Sequence, residues 1–110
     1  MTTMLTDLDL TNPLTAQAAV FAALAQLAEL HPDLPGAYIT ISHITPTEAY
    51  VLLDSPADVE AWRLATHTDT DDVHLTDRKG DKKLHFTAPL GRVTLKVFTV
   101  FVPACVAVAA

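Results

Sequence analysis

The tetrapeptide Ser55-Pro56-Ala57-Asp58 sits between two groups of strand-like runs, and it forces a helix between them. A serine side chain accepts a hydrogen bond from the first free N–H groups of a helix, proline at the next position has the helical φ built in, and an acid at the third can reach back to the cap. A helix therefore starts at Pro56. Its apolar side gathers Ala57, Val59, Ala61, Trp62, Leu64 and Ala65, while Glu60, Arg63 and His67 group on the wet side, so Trp62 reads as a core anchor.

On either side of this helix the chain is well punctuated. Asn12-Pro13 has the form of another cap and first helical residue, and helix formers continue to His31-Pro32, which predicts a helix over residues 13–31. Thr15, Ala19, Ala22, Gln26 and Glu29 recur at helical spacing as an outer face, leaving Leu14, Phe21, Leu24, Leu27 and Ala28 to face a core. The segment Pro32-Asp33-Leu34-Pro35-Gly36 supplies a turn, and strands are expected over 37–44 and 48–53 with Thr45-Pro46-Thr47 as a hairpin connection. A three-residue loop puts Ile39 and Ile41 on one face with Val51 and Leu53, and Thr40, Ser42 and Glu48 on the other. After the second helix and a polar loop over 68–72, three more strands are readable at 73–78, 82–88 and 92–102, with turns at Lys79-Gly80-Asp81 and Pro89-Leu90-Gly91. The order α-β-β-α-β-β-β predicts a single α+β domain, an antiparallel sheet with two helices packed on one face. An N-terminal arm over 1–12 and an apolar tail over 103–110 flank it.

The chain of 110 residues is long enough for one core. Half of it is apolar but only 6% is aromatic, so that core is built from Leu, Val, Ile and many Ala. Cys105 stands alone and cannot close an intramolecular disulfide, and MTTMLTDLDL has no basic stretch or long apolar run of a secretion signal. The expected location is cytoplasmic. Residues 97–110 are uncharged but contain Pro103 and fall short of a membrane span, so no membrane partner is expected.

Charge is divided along the chain. Residues 1–77 carry twelve acids and one base, and residues 78–110 carry six bases and one acid, so the two parts hold net charges of −11 and +5. Such a dipole opposes indiscriminate nucleic-acid binding but permits self-pairing, a local cationic contact or neutralisation within the molecule. The six bases, Arg78, Lys79, Lys82, Lys83, Arg92 and Lys96, fall in the last hairpin and are the candidate partner- or nucleic-acid-binding residues. A tight turn at Pro89-Leu90 places Lys83 opposite Lys96, His85 opposite Thr94 and Thr87 opposite Arg92 on one face, with Leu84, Phe86, Val93 and Leu95 on the other. Three readings of that face stand side by side: a solvated surface whose lysines discourage edge pairing, a ribbon that approaches phosphates, and a contact for an acidic protein. No aromatic residue within the hairpin alternates with the basic ones, which counts against single-strand binding.

Beyond Lys96 the alternation breaks. Phe98, Val100, Phe101 and Val102 put apolar groups on both sides of a strand that helices cover on one side only. The cover is either the chain's own first helix or arm (Met4, Leu5, Leu8, Leu10), or a second copy in a homo-oligomer whose interface uses Phe98, Val100, Phe101 and Val102.

Catalytic spacing is hard to find. His67, Asp69, Asp71, Asp72 and His74 are residue types that bind divalent metals, but they lack the glycine and glutamate of a calcium loop and the histidine spacing of a zinc site. They read as a solvated loop, with a metal-dependent enzyme as the alternative. No nucleophile elbow or phosphate-cradling loop is present, and no cofactor is expected. The segment Leu52-Leu-Asp-Ser-Pro-Ala-Asp-Val-Glu-Ala-Trp-Arg63, with Pro35-Gly-Ala-Tyr-Ile-Thr-Ile41 before it, resembles small uncharacterised proteins of actinobacteria, of actinophages and of their plasmids. The resemblance covers residues 30–65, has no catalytic residues to carry over, and implies a cytoplasmic accessory protein of a mobile element. The function expected from the residues is that of a small non-enzymatic interaction protein, homo-oligomeric and bound to a macromolecular protein partner, with a nucleic-acid-binding regulator as the alternative.

Overall fold

A computed structural model describes residues 12–102, so the expected arm with Met4, Leu5, Leu8 and Leu10 and the tail with Cys105 lie outside the described residues. The first helix starts later than its apparent cap predicts. Leu14–Gln17 form a 3-10 turn and α1 covers Ala18–Leu30. The Asn12 and Gln17 side-chain amides turn to the strand that follows, donating to the carbonyl oxygens of His43 at 3.0 Å and Ile41 at 3.1 Å. They satisfy acceptors where an edge strand stops pairing. The inner face of α1 is set by Val20 and Leu27, which are buried, with Ala19, Ala23 and Leu24 against them. Leu14 and Phe21, expected inside, are 70% and 50% exposed. Nearly every position of this helix is apolar, so periodicity alone could not choose the face, and alanines at 19 and 23 let the backbone lie close to the sheet.

Strands β1 (Tyr38–Ile41) and β2 (Glu48–Leu52) form an antiparallel hairpin with Ile39 opposite Val51 and Ile41 opposite Ala49. The loop runs over 42–47 and is longer than the expected three residues, yet the register moves by two and every side chain keeps its expected face. Helix α2 spans Pro56–Ala65, and Ser55 Oγ accepts from the Asp58 N–H at 3.2 Å. Val59, Trp62 and Ala65 are buried, and the Trp62 indole donates to the Pro35 carbonyl oxygen at 2.9 Å, pinning the turn that leads into β1. The helix ends in a Schellman arrangement: His67 N–H reaches Leu64 O at 3.2 Å, Thr68 N–H reaches Arg63 O at 3.0 Å, and His67 has φ of 55°.

Strands β3 (His74–Arg78), β4 (Asp81–Leu90) and β5 (Val93–Phe101) follow as an antiparallel meander, and the sheet order is β1-β2-β5-β4-β3. One pairing departs from the expected antiparallel sheet. β5 lies parallel to β2, so the sheet is mixed. Ten residues of α2 are about 15 Å long, close to the length of β2, so the helix returns the chain to the end where β2 began. β3 then runs in the direction of β2, and two reversals bring β5 back in that same direction.

The last hairpin also differs from expectation. Lys83 faces Val100, His85 faces Phe98 and Thr87 faces Lys96. The strands continue to Leu90 and Val93, and the turn is Gly91-Arg92, with Gly91 at φ of 62°. A two-residue turn with glycine first fits the twist of the strands better than Pro89-Leu90 could. Pro89 stays inside β4 at no cost, because its missing N–H points to the side where β3 has already ended. The shift is an even number of residues, so again the faces are preserved.

Both helices cover the face that carries Ala49, Val51, Phe86, Ala88, Val93, Leu95 and Val97, all buried. Small residues flank large ones across it: Ala49 and Ala88 sit on either side of Leu95. Thr99 is fully buried there, and its Oγ1 donates to Leu53 O at 2.7 Å.

Candidate functional site

Among the described residues no helix lies over the other face of the sheet, and strand alternation decides what it shows. Tyr38 pairs with Leu52, Leu52 with Phe98, Phe98 with His85, and His85 with His74. These five residues form one row across all five strands, about 19 Å long at the usual strand spacing. Four of the five carry rings. The next row on one side is Thr40, Tyr50, Lys96 and Thr87, and on the other side it is Val100, Lys83 and Thr76. Each of the two lysines thus flanks the ring row from a different side.

The lysines rest on the rings. Lys83 Nζ is 4.9 Å from the centre of the Phe98 ring, and Lys96 Nζ is 5.3 Å from that of Tyr50. The Glu48 carboxylate at 3.4 Å and then the Tyr50 hydroxyl hold the Lys96 ammonium above its ordinary pKa. Lys83 has no carboxylate within ion-pair distance among the described residues. His85 is pushed below its ordinary value, first by burial and then by Lys83 and His74, whose ring lies 5.7 Å away. The His85 Nε2 and Thr76 Oγ1 are 3.0 Å apart.

The six basic residues do not form one patch. Lys83, Lys96 and Arg78 share the open face, with Arg78 at its margin paired to Asp81 at 3.2 Å. Lys82 lies on the helix side of β4 and pairs with Asp77, and Lys79 and Arg92 occupy turns at opposite ends of the meander. The like-charge opposition expected of Lys83 and Lys96 is relieved, because Phe98 and His85 stand in the row between them.

Of the apolar residues at the end of β5, Phe98 and Val100 face the open side and are half-buried, Phe101 faces the helix side, and Val102 is 64% exposed just beyond the strand. Apolar groups occur on both sides of β5 because it is the central strand. Its open side is sheltered in part by the lysine stems and neighbouring rings. His67, Asp69, Asp71, Asp72 and His74 are dispersed: His67 closes α2, the Asp69 carboxylate accepts from the Asp71 N–H at 3.1 Å in a 3-10 turn over Thr70–Asp72, and His74 joins the open face. No group of three metal-ligating side chains occurs among the described residues.

Tyr38, Tyr50 and Leu52 are site residues that inspection of the basic hairpin missed. Their signal was present in the first hairpin, where they alternate with Ile39, Val51 and Leu53 and so belong with Thr40 and Glu48 on the outward side. What could not be read was that β5 would insert beside β2 and bring them to the lysines. Compared with known proteins, the chain matches no family model, no curated protein and no solved structure.

Proposed function

We propose that this chain is a non-enzymatic binding protein of the cytoplasm whose working surface is the helix-free face of the sheet, and that its partner is a nucleic acid. The observation that carries the reading is the interleaving of rings and cations: Tyr50, Phe98, His85 and His74 alternate with Lys96 and Lys83 on one open surface. The missing aromatic residues were the argument against such a partner, and Phe98 at the end of β5 and Tyr50 of the neighbouring β2 supply them.

Net charge of −6 does not oppose it at this surface. Glu48 and Asp81 stand on the open face beside Lys96 and Arg78, so with Lys83 the face keeps a net positive charge among the described residues. Glu29, Asp33, Asp54, Asp58, Glu60, Asp69, Asp71 and Asp72 belong to the helix layer and its loops, behind the sheet by about 10 Å, which is about one Debye length at physiological salt. The expected test is a binding titration against salt. With Lys83, Lys96 and Arg78 on phosphates, log affinity for a single strand falls with log salt at a slope of about −2. The double variant Lys83→Glu, Lys96→Glu loses binding. No binding by the native protein at low salt contradicts the proposal.

A second reading, a homo-oligomer or a protein partner on the same face, is favoured by Tyr38, which is 68% exposed, and by the half-buried Leu52 and Val100 on that face. It predicts a sedimenting dimer that Val100→Glu dissociates. The setting in a mobile element of an actinobacterial host belongs to this proposal as its biological context. No helix among the described residues is long and apolar enough to cross a membrane.

A further inference from the structure

We propose that the open face is a stacking platform for a single strand rather than a docking surface for a duplex, with the row Tyr38, Leu52, Phe98, His85, His74 as its base-binding line. This rests on the nucleic-acid reading above and names the form of the ligand.

Three features of the surface separate the two forms. First, the rings lie in a file across the strands instead of in a cluster. Phe98, His85 and His74 occupy consecutive strands of that file, and Tyr38 stands at its far end. Bases removed from a duplex present their flat faces, and aromatic and imidazole rings on an open sheet are surfaces on which such faces stack. Paired bases inside a duplex have no free faces to offer. A file about 19 Å long accommodates about three extended nucleotides.

Second, the cations flank the file. Lys96 lies one row to one side and Lys83 one row to the other, each with its ammonium over a ring. A strand with bases on the file has its phosphates beside it, within reach of the Lys83 ammonium once it leaves the Phe98 ring and of the Lys96 ammonium once it exchanges Glu48 for a phosphate. A duplex approaching a flat sheet would meet two cations spaced by a hydrophobic row, and the row would be pressed against its phosphates. That arrangement desolvates charge with no return.

Third, the rim is suited to a strand and not to a groove. Grooves are read by a protruding helix or a two-stranded ribbon. Here the side chains toward the ligand stand on the flat face of a five-stranded sheet, and both lysines belong to the central strands β4 and β5, Lys83 where β3 flanks β4 and Lys96 where β2 flanks β5. Neither can enter a groove.

The roles of the side chains follow from exposure. Tyr38 is 68% exposed and offers ring surface without rearrangement, whereas Tyr50, 41% exposed, has the Lys96 ammonium over its ring. Phe98 is half-buried under Lys83 and becomes available when that ammonium moves to a phosphate. Tyr50 lies diagonal to Phe98, beside Lys96, and serves a base that leaves the file at the centre.

Fluorescence anisotropy with a labelled oligothymidylate, a duplex of equal length and a labelled polyglutamate chain, all at low salt, tests the proposal. The native protein binds the single strand most tightly. Phe98→Ala and Tyr38→Ala each weaken single-strand binding by about 5- to 150-fold, the range for loss of one stacked base, and leave the salt slope unchanged. Tyr38 sits on an edge strand and is largely exposed, so its variant folds even if Phe98→Ala does not. Tyr50→Phe retains single-strand affinity, since a phenyl ring stacks as well as a phenol. Lys83→Gln lowers the steepness of the salt slope by about 0.7. If the duplex binds as tightly as the single strand, or if Tyr38→Ala and a folded Phe98→Ala bind like the native protein, the platform is wrong while the nucleic-acid reading survives. If polyglutamate matches the oligonucleotide, or if neither nucleic acid binds, both fall.

Discussion

Replacing Thr99 by valine exchanges one hydroxyl for a methyl at almost constant volume, in a position with no exposure. The hydroxyl donates to Leu53 O at 2.7 Å, and Leu53 N–H donates to Phe98 O at 2.8 Å. These two bonds close the end of the parallel β2–β5 pair, where the chain leaves the sheet for α2. Valine leaves the Leu53 carbonyl buried with no donor, a loss of about 1–3 kcal/mol, and the added methyl returns at most about 0.8 kcal/mol. The net destabilisation is about 0.2–2.2 kcal/mol, or a fall in Tm of roughly 1–18 °C for a domain of this size. Thr99→Ser separates the terms: it keeps the donor and loses only the methyl, about 1 kcal/mol with the cavity. Urea denaturation of the three proteins, at constant m, measures the order. Both variants are expected to be less stable than the native protein. A valine variant as stable as the native protein refutes the assignment of the hydroxyl as the tie between these strands.

His67→Gly tests the end of α2. A non-glycine residue at φ of 55° is strained relative to glycine by about 1 kcal/mol, so the variant gains stability by up to that amount in the same denaturation assay. An NMR titration is expected to place the His85 midpoint below the usual 6.5, and Lys83→Met to raise it toward that value, although burial remains the larger cause. Because the unfolded chain takes up this proton first, the stability that native protein holds over His85→Gln is present above pH 6.5 and decreases as pH falls from there through the lowered pKa.

The fold was legible wherever a local signal had one physical outcome. Ser55-Pro56 allowed only a helix start, and alternation in the strands put Ile39, Ile41, Val51, Phe86 and Leu95 on one side although both hairpin registers were displaced. Displacement by an even number of residues does not alter a face. Strand direction was not legible, because it follows from where α2 returns the chain, and that depends on the length of the helix against the length of β2. The inner face of α1 was obscured by its excess of alanine and leucine. The candidate site was half legible: Lys83 and Lys96 were found in the hairpin that contains them. Tyr38, Tyr50 and Leu52 come from strands more than thirty positions away in sequence, and only the parallel insertion of β5 unites them.

Amide chemical-shift mapping during titration of the isotopically labelled native protein with a short single-stranded oligonucleotide tests the central claim most directly. The account predicts perturbations concentrated at Tyr38, Tyr50, Leu52, Lys83, His85, Lys96 and Phe98, with α1 and α2 still. Shifts confined to the helix layer, or a spectrum that does not change at low salt, contradict it.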